Sequence, residues 1–186
     1  RQRQMCIRDR FTTAAANARC SHAVWVTGEG FQRVANDTQP PSAWGELPLG
    51  GTRSFEEAHG LLPPRLRRQG IRIVISDLFW PGDPLPTLRK LTEGAAAVTL
   101  VQLLAPSDLE PPKPGNVQLE DSETGEPLSL YIDTTNQEQY CKTLQRLQQS
   151  WDHAAQQTGA ELVTLIADNL QGSLRSLEEC RTLEPA

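Results

Sequence analysis

The chain has 186 residues, of which 38% are hydrophobic and 22% charged, with a net charge of -5; at a mean hydropathy of -0.46 it is long enough for one domain with a sizeable core. The acidic balance excludes a general nucleic-acid binder, because neutralising phosphates needs a concentrated basic surface. No apolar run approaches the roughly 20 residues that cross a bilayer, and no signal-peptide pattern opens the sequence.

In chain order, residues 1–10 stand apart. Met5-Cys6-Ile7-Arg8-Asp9-Arg10 resembles the peptide obtained by translating a transposon-end sequencing adapter. The expectation is that the genuine protein was cut upstream of Phe11 and that residues 1–10 lie outside fold reasoning, a genuine basic amino-terminal arm being the other possibility. Residues 11–21, rich in alanine, are helix material. Residues 23–26 read as a strand, Gly28-Glu29-Gly30 as a turn and residues 31–35 as a second strand, together a hairpin on a sheet edge. The Gly28-x-Gly30 pair lacks a third glycine and leads into no helix, so it is a weak dinucleotide signal. Residues 36–51 form a polar, proline-rich connection. A helix is predicted over 54–69, broken in two by Gly60 and Pro63-Pro64. Arg65, Arg67, Arg68 and Arg72 cluster at its end, where cations complement the helix dipole.

Ile71-Arg72-Ile73-Val74-Ile75-Ser76-Asp77 organises the rest. Its β-branched aliphatics predict a strand buried on both faces inside a parallel sheet. Ligands of open α/β sheets bind beyond the carboxyl ends of strands, so Asp77 has the placement of a site residue. Equally, Asp77 could simply cap the turn that follows. Leu85, Leu88 and Leu91 have helical spacing, Gly94 stops that helix, and residues 97–104 form another apolar strand. This βαβ pattern implies parallel pairing with a right-handed crossover. Pro111-Pro112-Lys113-Pro114 is an extended linker, and residues 117–119 and 128–132 alternate as a hairpin across Glu123-Thr124-Gly125-Glu126. Thr135-x-x-Glu138 is a capping box opening a long helix. Its stripe of Tyr140, Leu144, Leu147, Trp151, Ala154 and Ala155 is expected in the core. Residues 161–168 repeat the strand-then-aspartate pattern, and residues 170–183 read as a last helix.

The chemistry is sparse. His22, His59 and His153 show no metal-ligand spacing, and no G-x-S-x-G elbow or phosphate-binding G-x-x-x-x-G-K-[ST] loop is present. Cys6, Cys20, Cys141 and Cys180 are far apart and form no C-x-x-C pair. They suggest neither zinc nor a disulfide framework and fit a reduced, cytoplasmic setting. What remains is an oxygen pair, Thr52 and Asp77, of the kind a hard cation such as Mg2+ accepts, although two oxygens are too few to hold it alone.

Gly50-Gly51-Thr52, the strand Ile73-Val74-Ile75-Ser76-Asp77 and the segment Asp121-Ser122-Glu123-Thr124-Gly125-Glu126 together resemble the bacterial domain-of-unknown-function family fifty-eight. The resemblance runs over residues 50–177 and implies a von Willebrand factor A-like doubly wound, mostly parallel sheet flanked by helices. Residues 11–186 would be a partial domain of this type, with an inserted hairpin at about 115–133 and the first central strand missing. In such domains a metal-ion-dependent adhesion site takes an Asp-x-Ser-x-Ser loop, a threonine and an aspartate. Thr52 and Asp77 match the last two, and the first loop is absent. The resemblance therefore implies Mg2+ in the intact protein and little or none in these 186 residues. It further implies a non-enzymatic adaptor that partners a MoxR-type AAA+ ATPase in chaperone-like assembly. The alternative is a phosphoacceptor receiver-like domain with Asp77 as acceptor, since Asp77-Leu78-Phe79-Trp80-Pro81-Gly82 is similar to the aspartate-to-proline turn of response regulators. Against it, no lysine follows the last strand. A third reading has Thr52 and Asp77 do no more than cap backbone groups.

Overall fold

The structure, a computed structural model, describes residues 2–44, 47, 53–120 and 127–167. Helix α1 (Gln2–Asn17) precedes a short antiparallel ribbon, β1 (Trp25–Thr27) and β2 (Phe31–Arg33). Then come α2 (Phe55–Leu61), β3 (Ile71–Ser76), α3 (Pro84–Thr92), β4 (Ala97–Leu104) and a single turn, α4 (Pro106–Leu109). A second ribbon, β5 (Gly115–Glu120) and β6 (Pro127–Ile132), leads into α5 (Thr134–Thr158) and β7 (Glu161–Ile166). The expected helix over 170–183 lies outside the described residues.

The fold is α/β. Strands β3, β4 and β7 form a parallel sheet in that order, with Ile75 opposite Val101 and Gln102 opposite Thr164. Every residue of β4 after Ala97 is buried. The strand buried on both faces is thus β4, and the expectation that β3 fills this place is corrected. β4 is paired along both edges, whereas β3 pairs only with β4 among the described residues. Ile71 is consequently 72% exposed and Ile73 37%.

Helices cover the two faces of the sheet. On one, Leu88 and Leu91 of α3 and Trp151, Ala154 and Ala155 of α5 pack with Val74, Val98 and Leu100. Each fully buried aliphatic here contributes about 1.5–3 kcal/mol. On the other, Ile7 and Phe11 of α1 meet Val101, Leu103, Val163 and Leu165. The first helix therefore starts well before residue 11, and Ile7 is fully buried.

Local chemistry sets the element ends. Asp83 caps α3, its Oδ1 accepting from the Leu85 N–H at 2.9 Å. At the other end of α3 the Arg72 guanidinium of β3 donates to the Leu91 carbonyl at 2.6 Å. A cation thus sits at a helix C-terminus, as electrostatics favours, though at α3 rather than after α2. Helix α2 opens on a capping box between Ser54 and Glu57 and runs through Gly60. The predicted break at Gly60 does not occur; the helix ends at Leu61 ahead of Pro63 and Pro64, which cannot continue it, and the predicted second piece up to residue 69 is not helical. Helix α5 is capped by Asp133, whose Oδ1 accepts from the Asn136 N–H at 2.7 Å, in place of the predicted Thr135-x-x-Glu138 box. Asp133 stands just outside the helix, where a side chain can reach the free N–H groups, and Thr135 is already inside it. In α5 the core stripe ends at Trp151 and the half-buried Leu147; Tyr140 is 40% exposed.

The β1–β2 ribbon is a separate two-stranded sheet and not an edge of the main one. It is held by a buried carboxylate. Asp37, 3% exposed, accepts from the Val24 N–H at 3.0 Å and from Arg33 Nε at 2.8 Å. The bond from the Arg33 guanidinium holds the Asp37 carboxyl below its usual range. A depressed carboxyl stabilises the fold above its unfolded pKa and loses that contribution as pH falls through the folded one. Asp37→Asn should cost about 1–3 kcal/mol in urea unfolding at neutral pH. The gap from wild type should close as the pH is taken below about 4.

Candidate functional site

Asp77 follows directly on β3, at the carboxyl rim of the sheet. Its Oδ1 accepts from the Phe79 N–H at 3.2 Å and lies 3.4 Å from Ser76 Oγ. The turn-capping role is thus real, and it uses one carboxylate oxygen; Oδ2 has no hydrogen-bond partner among the described residues. Next in the chain, Leu78 has φ 59°, a left-handed conformation that a side chain ordinarily avoids. Burial and three hydrogen bonds keep it there. Leu78 is fully buried, its N–H donates to Ser76 Oγ at 3.2 Å, and its carbonyl accepts from Trp151 Nε1 at 3.0 Å. The Asp77 carbonyl in turn accepts from Gln102 Nε2 at 3.0 Å.

Gln102 is 1% exposed, and its Oε1 accepts from Thr164 Oγ1 at 3.0 Å. One amide thereby joins β7, β4 and the end of β3. Such a buried polar group costs little when both its ends are satisfied and much when one is not. Neither Gln102 nor the Trp151 indole was singled out as a site residue from sequence. The signal for Gln102 was a lone amide inside an otherwise apolar strand; for the Leu78 backbone there was none.

Thr52 lies outside the described residues, as does the Asp121–Glu126 motif by its numbers, 121–126. The residues that follow Thr52 are in view. Phe55 at the start of α2 is 5.7 Å from Trp80, ring to ring, and Trp80 is 5.5 Å from Trp151. Ser54, Phe55, Trp80, Asp83 and Trp151 line one hollow of about 60 Å³. This is far below the roughly 300–1,000 Å³ of a small-molecule pocket. It packs the start of α2 against the loop after Asp77 without making room for a metabolite. Among the described residues no three His, Cys, Asp or Glu side chains gather as a metal site would require. Asp77 alone supplies a single carboxylate, and a Mg2+ ion wants near-octahedral oxygen coordination. Cys20 and Cys141 are free and exposed. No described helix is long and apolar enough to cross a membrane.

The sequence model for the family described as "Protein of unknown function DUF58" matches residues 32–150, more than half of the chain. The chain belongs to the DUF58 family. No curated protein and no solved structure matches it. The stretch that matches the DUF58 model contains β3, the Asp77 turn, Gln102, the β5–β6 ribbon and the exposed half of α5. It stops one residue before Trp151, whose indole holds Leu78.

Two variants test the support of the Asp77 turn. Gln102→Leu leaves the Asp77 carbonyl and the Thr164 hydroxyl without their partner, and Trp151→Phe does the same to the Leu78 carbonyl. Each should lower unfolding stability by about 1–3 kcal/mol. Amide hydrogen exchange should quicken at residues 77–80 in both.

Proposed function

We propose that this DUF58 chain is a non-enzymatic adaptor module that works in the cytoplasm with a MoxR-type AAA+ ATPase in chaperone-like assembly. Its carboxyl rim, in a von Willebrand A-like arrangement, is the binding end. Asp77 and Thr52 supply part of a Mg2+ shell, and a partner carboxylate helps to close it. The observation that carries the reading is the Asp77 turn itself. A half-buried carboxylate stands at the end of a parallel strand with one oxygen spoken for and the other uncommitted among the described residues, on a backbone that a buried amide and a buried indole hold in place. A site that must present one oxygen to a cation benefits from such prior fixing, because the ordering cost is met on folding.

The partner assignment rests on the resemblance to family members encoded beside such ATPases. Binding would need the cation because Asp77 and a partner carboxylate would repel each other without one between them.

The test is calorimetric titration of the full-length gene product with the MoxR-type ATPase of the same genome, in Mg2+ and in EDTA. Binding should require Mg2+ and be lost in Asp77→Ala, whose own stability falls by only about 1 kcal/mol, the worth of one turn hydrogen bond. Binding that survives both EDTA and Asp77→Ala would sink the reading. Stable labelling of Asp77 by acetyl phosphate would replace it with the phosphoacceptor one.

A further inference from the structure

The loop that leads into β3 concentrates positive charge at the rim opposite Asp77. Residues 58–76 hold four arginines, Arg65, Arg67, Arg68 and Arg72, and no aspartate or glutamate. Arg72 is spent inside the fold, on the Leu91 carbonyl at 2.6 Å and the Arg67 carbonyl at 3.3 Å. The other three are exposed. Arg67 donates to Ser21 Oγ at 2.6 Å, a neutral partner that leaves its charge uncompensated. Arg65 and Arg68 have no hydrogen bond or ion pair among the described residues. The carboxylates of the adjoining helix are engaged elsewhere, Glu56 with Lys90 at 3.0 Å and Glu57 in the cap of α2. Glu93, beside the Gly94 carbonyl that anchors the loop, forms no ion pair among the described residues.

The backbone under these arginines is fixed. Pro63 and Pro64 restrict its start. At its end the Gln69 N–H donates to the Gly94 carbonyl at 2.6 Å and the Ala96 N–H to the Gly70 carbonyl at 3.0 Å. Guanidinium groups on a fixed backbone bind at a smaller ordering cost, and their planar fork matches a carboxylate better than an ammonium does. We propose that Arg65, Arg67 and Arg68 dock a short acidic segment of a partner protein. Nucleic acid and an anionic bilayer are also negative, but both extend well past the loop. With four positive charges in residues 58–76, the rest of the chain is more acidic than its net charge of -5 and repels such extended anions. A short segment feels the loop alone, since charges more than about 8 Å apart are screened. The six residues of β3, at about 3.3 Å each, put roughly 20 Å between the loop and Asp77. This contact is therefore separate from the metal-dependent one and uses no metal.

The probe is a labelled peptide of about ten residues, about 33 Å when extended, in which glutamate alternates with serine. Its control carries glutamine for each glutamate. Both are titrated into the full chain in EDTA and followed by fluorescence anisotropy. The glutamate peptide should bind, and the glutamine peptide should bind at least about tenfold more weakly. Arg65→Gln/Arg68→Gln removes two side chains without partners among the described residues, so its urea midpoint should match wild type while the glutamate peptide weakens by about tenfold. Arg68→Glu should weaken it at least as much. Arg146→Glu, the same change of net charge on an exposed position of α5, should leave it within about twofold of wild type. No binding of the glutamate peptide, equal binding of the two peptides, or equal loss in Arg68→Glu and Arg146→Glu overturns the proposal. So does self-association in sedimentation, or binding to single-stranded DNA or phosphatidylserine vesicles, that Arg65→Gln/Arg68→Gln abolishes, since each gives the loop to a different occupant. Because EDTA is present throughout, the outcome is independent of the fate of the Mg2+ reading.

Discussion

The amide of Gln102 is the group on which the candidate rim depends. It is buried in the central strand, takes a hydroxyl from β7 on one side and gives an N–H to the backbone just past β3 on the other. Backbone ladders alone fix three parallel strands relative to one another in register. They do not fix where the chain goes after a strand ends. A side-chain amide can, because it offers a donor and an acceptor from a position already immobilised by packing. With both satisfied, the first residue beyond β3 is held to the sheet as firmly as the strand, and the left-handed turn at Leu78 becomes tolerable.

A second support comes from the aromatic side chains beneath the loop. Phe31 meets Phe55 at 5.1 Å, Phe55 meets Trp80 and Trp80 meets Trp151, so the β1–β2 ribbon, α2, the Asp77 loop and α5 share one cluster. Edge-to-face and tilted pairs of this kind add about 0.5–1.5 kcal/mol each beyond the area they bury. The chain emerging after Thr52 packs on the chain emerging after Asp77, although the Thr52 hydroxyl itself is not described.

Much of this was legible in the sequence. The βαβ unit from Ile71 to Leu104, the β5–β6 ribbon and the position of Asp77 at a strand end follow from periodicity, glycines and prolines, which act locally. The errors have local logic as well. β3 and β4 are equally apolar in sequence, and nothing within a strand says how many neighbours pair with it. Gly60 is a poor helix residue by propensity, but a capping box at Ser54 and the buried Phe55 and Ala58 outweigh it. The stripe from Tyr140 to Ala155 has one period throughout, so the sequence could not show that the core stops near Leu147. Trp151 and Gln102 were visible as residue types and invisible as partners, because each reaches across many residues to a backbone carbonyl.

That stripe belongs to a helix of unusual reach. At about 1.5 Å per residue, the 25 residues of α5 extend about 37 Å, with no proline or glycine to act as a joint. Its last third is wedged under the sheet, and its more exposed first turns are tied to the chain before β5 by Gln137 on the Pro112 carbonyl and by the Tyr140 hydroxyl on the Asp108 carbonyl. A rod of this kind has no hinge. One rigid element therefore runs from the Tyr140 hydroxyl on the Asp108 carbonyl to the Trp151 indole on the Leu78 carbonyl, the peptide next to Asp77.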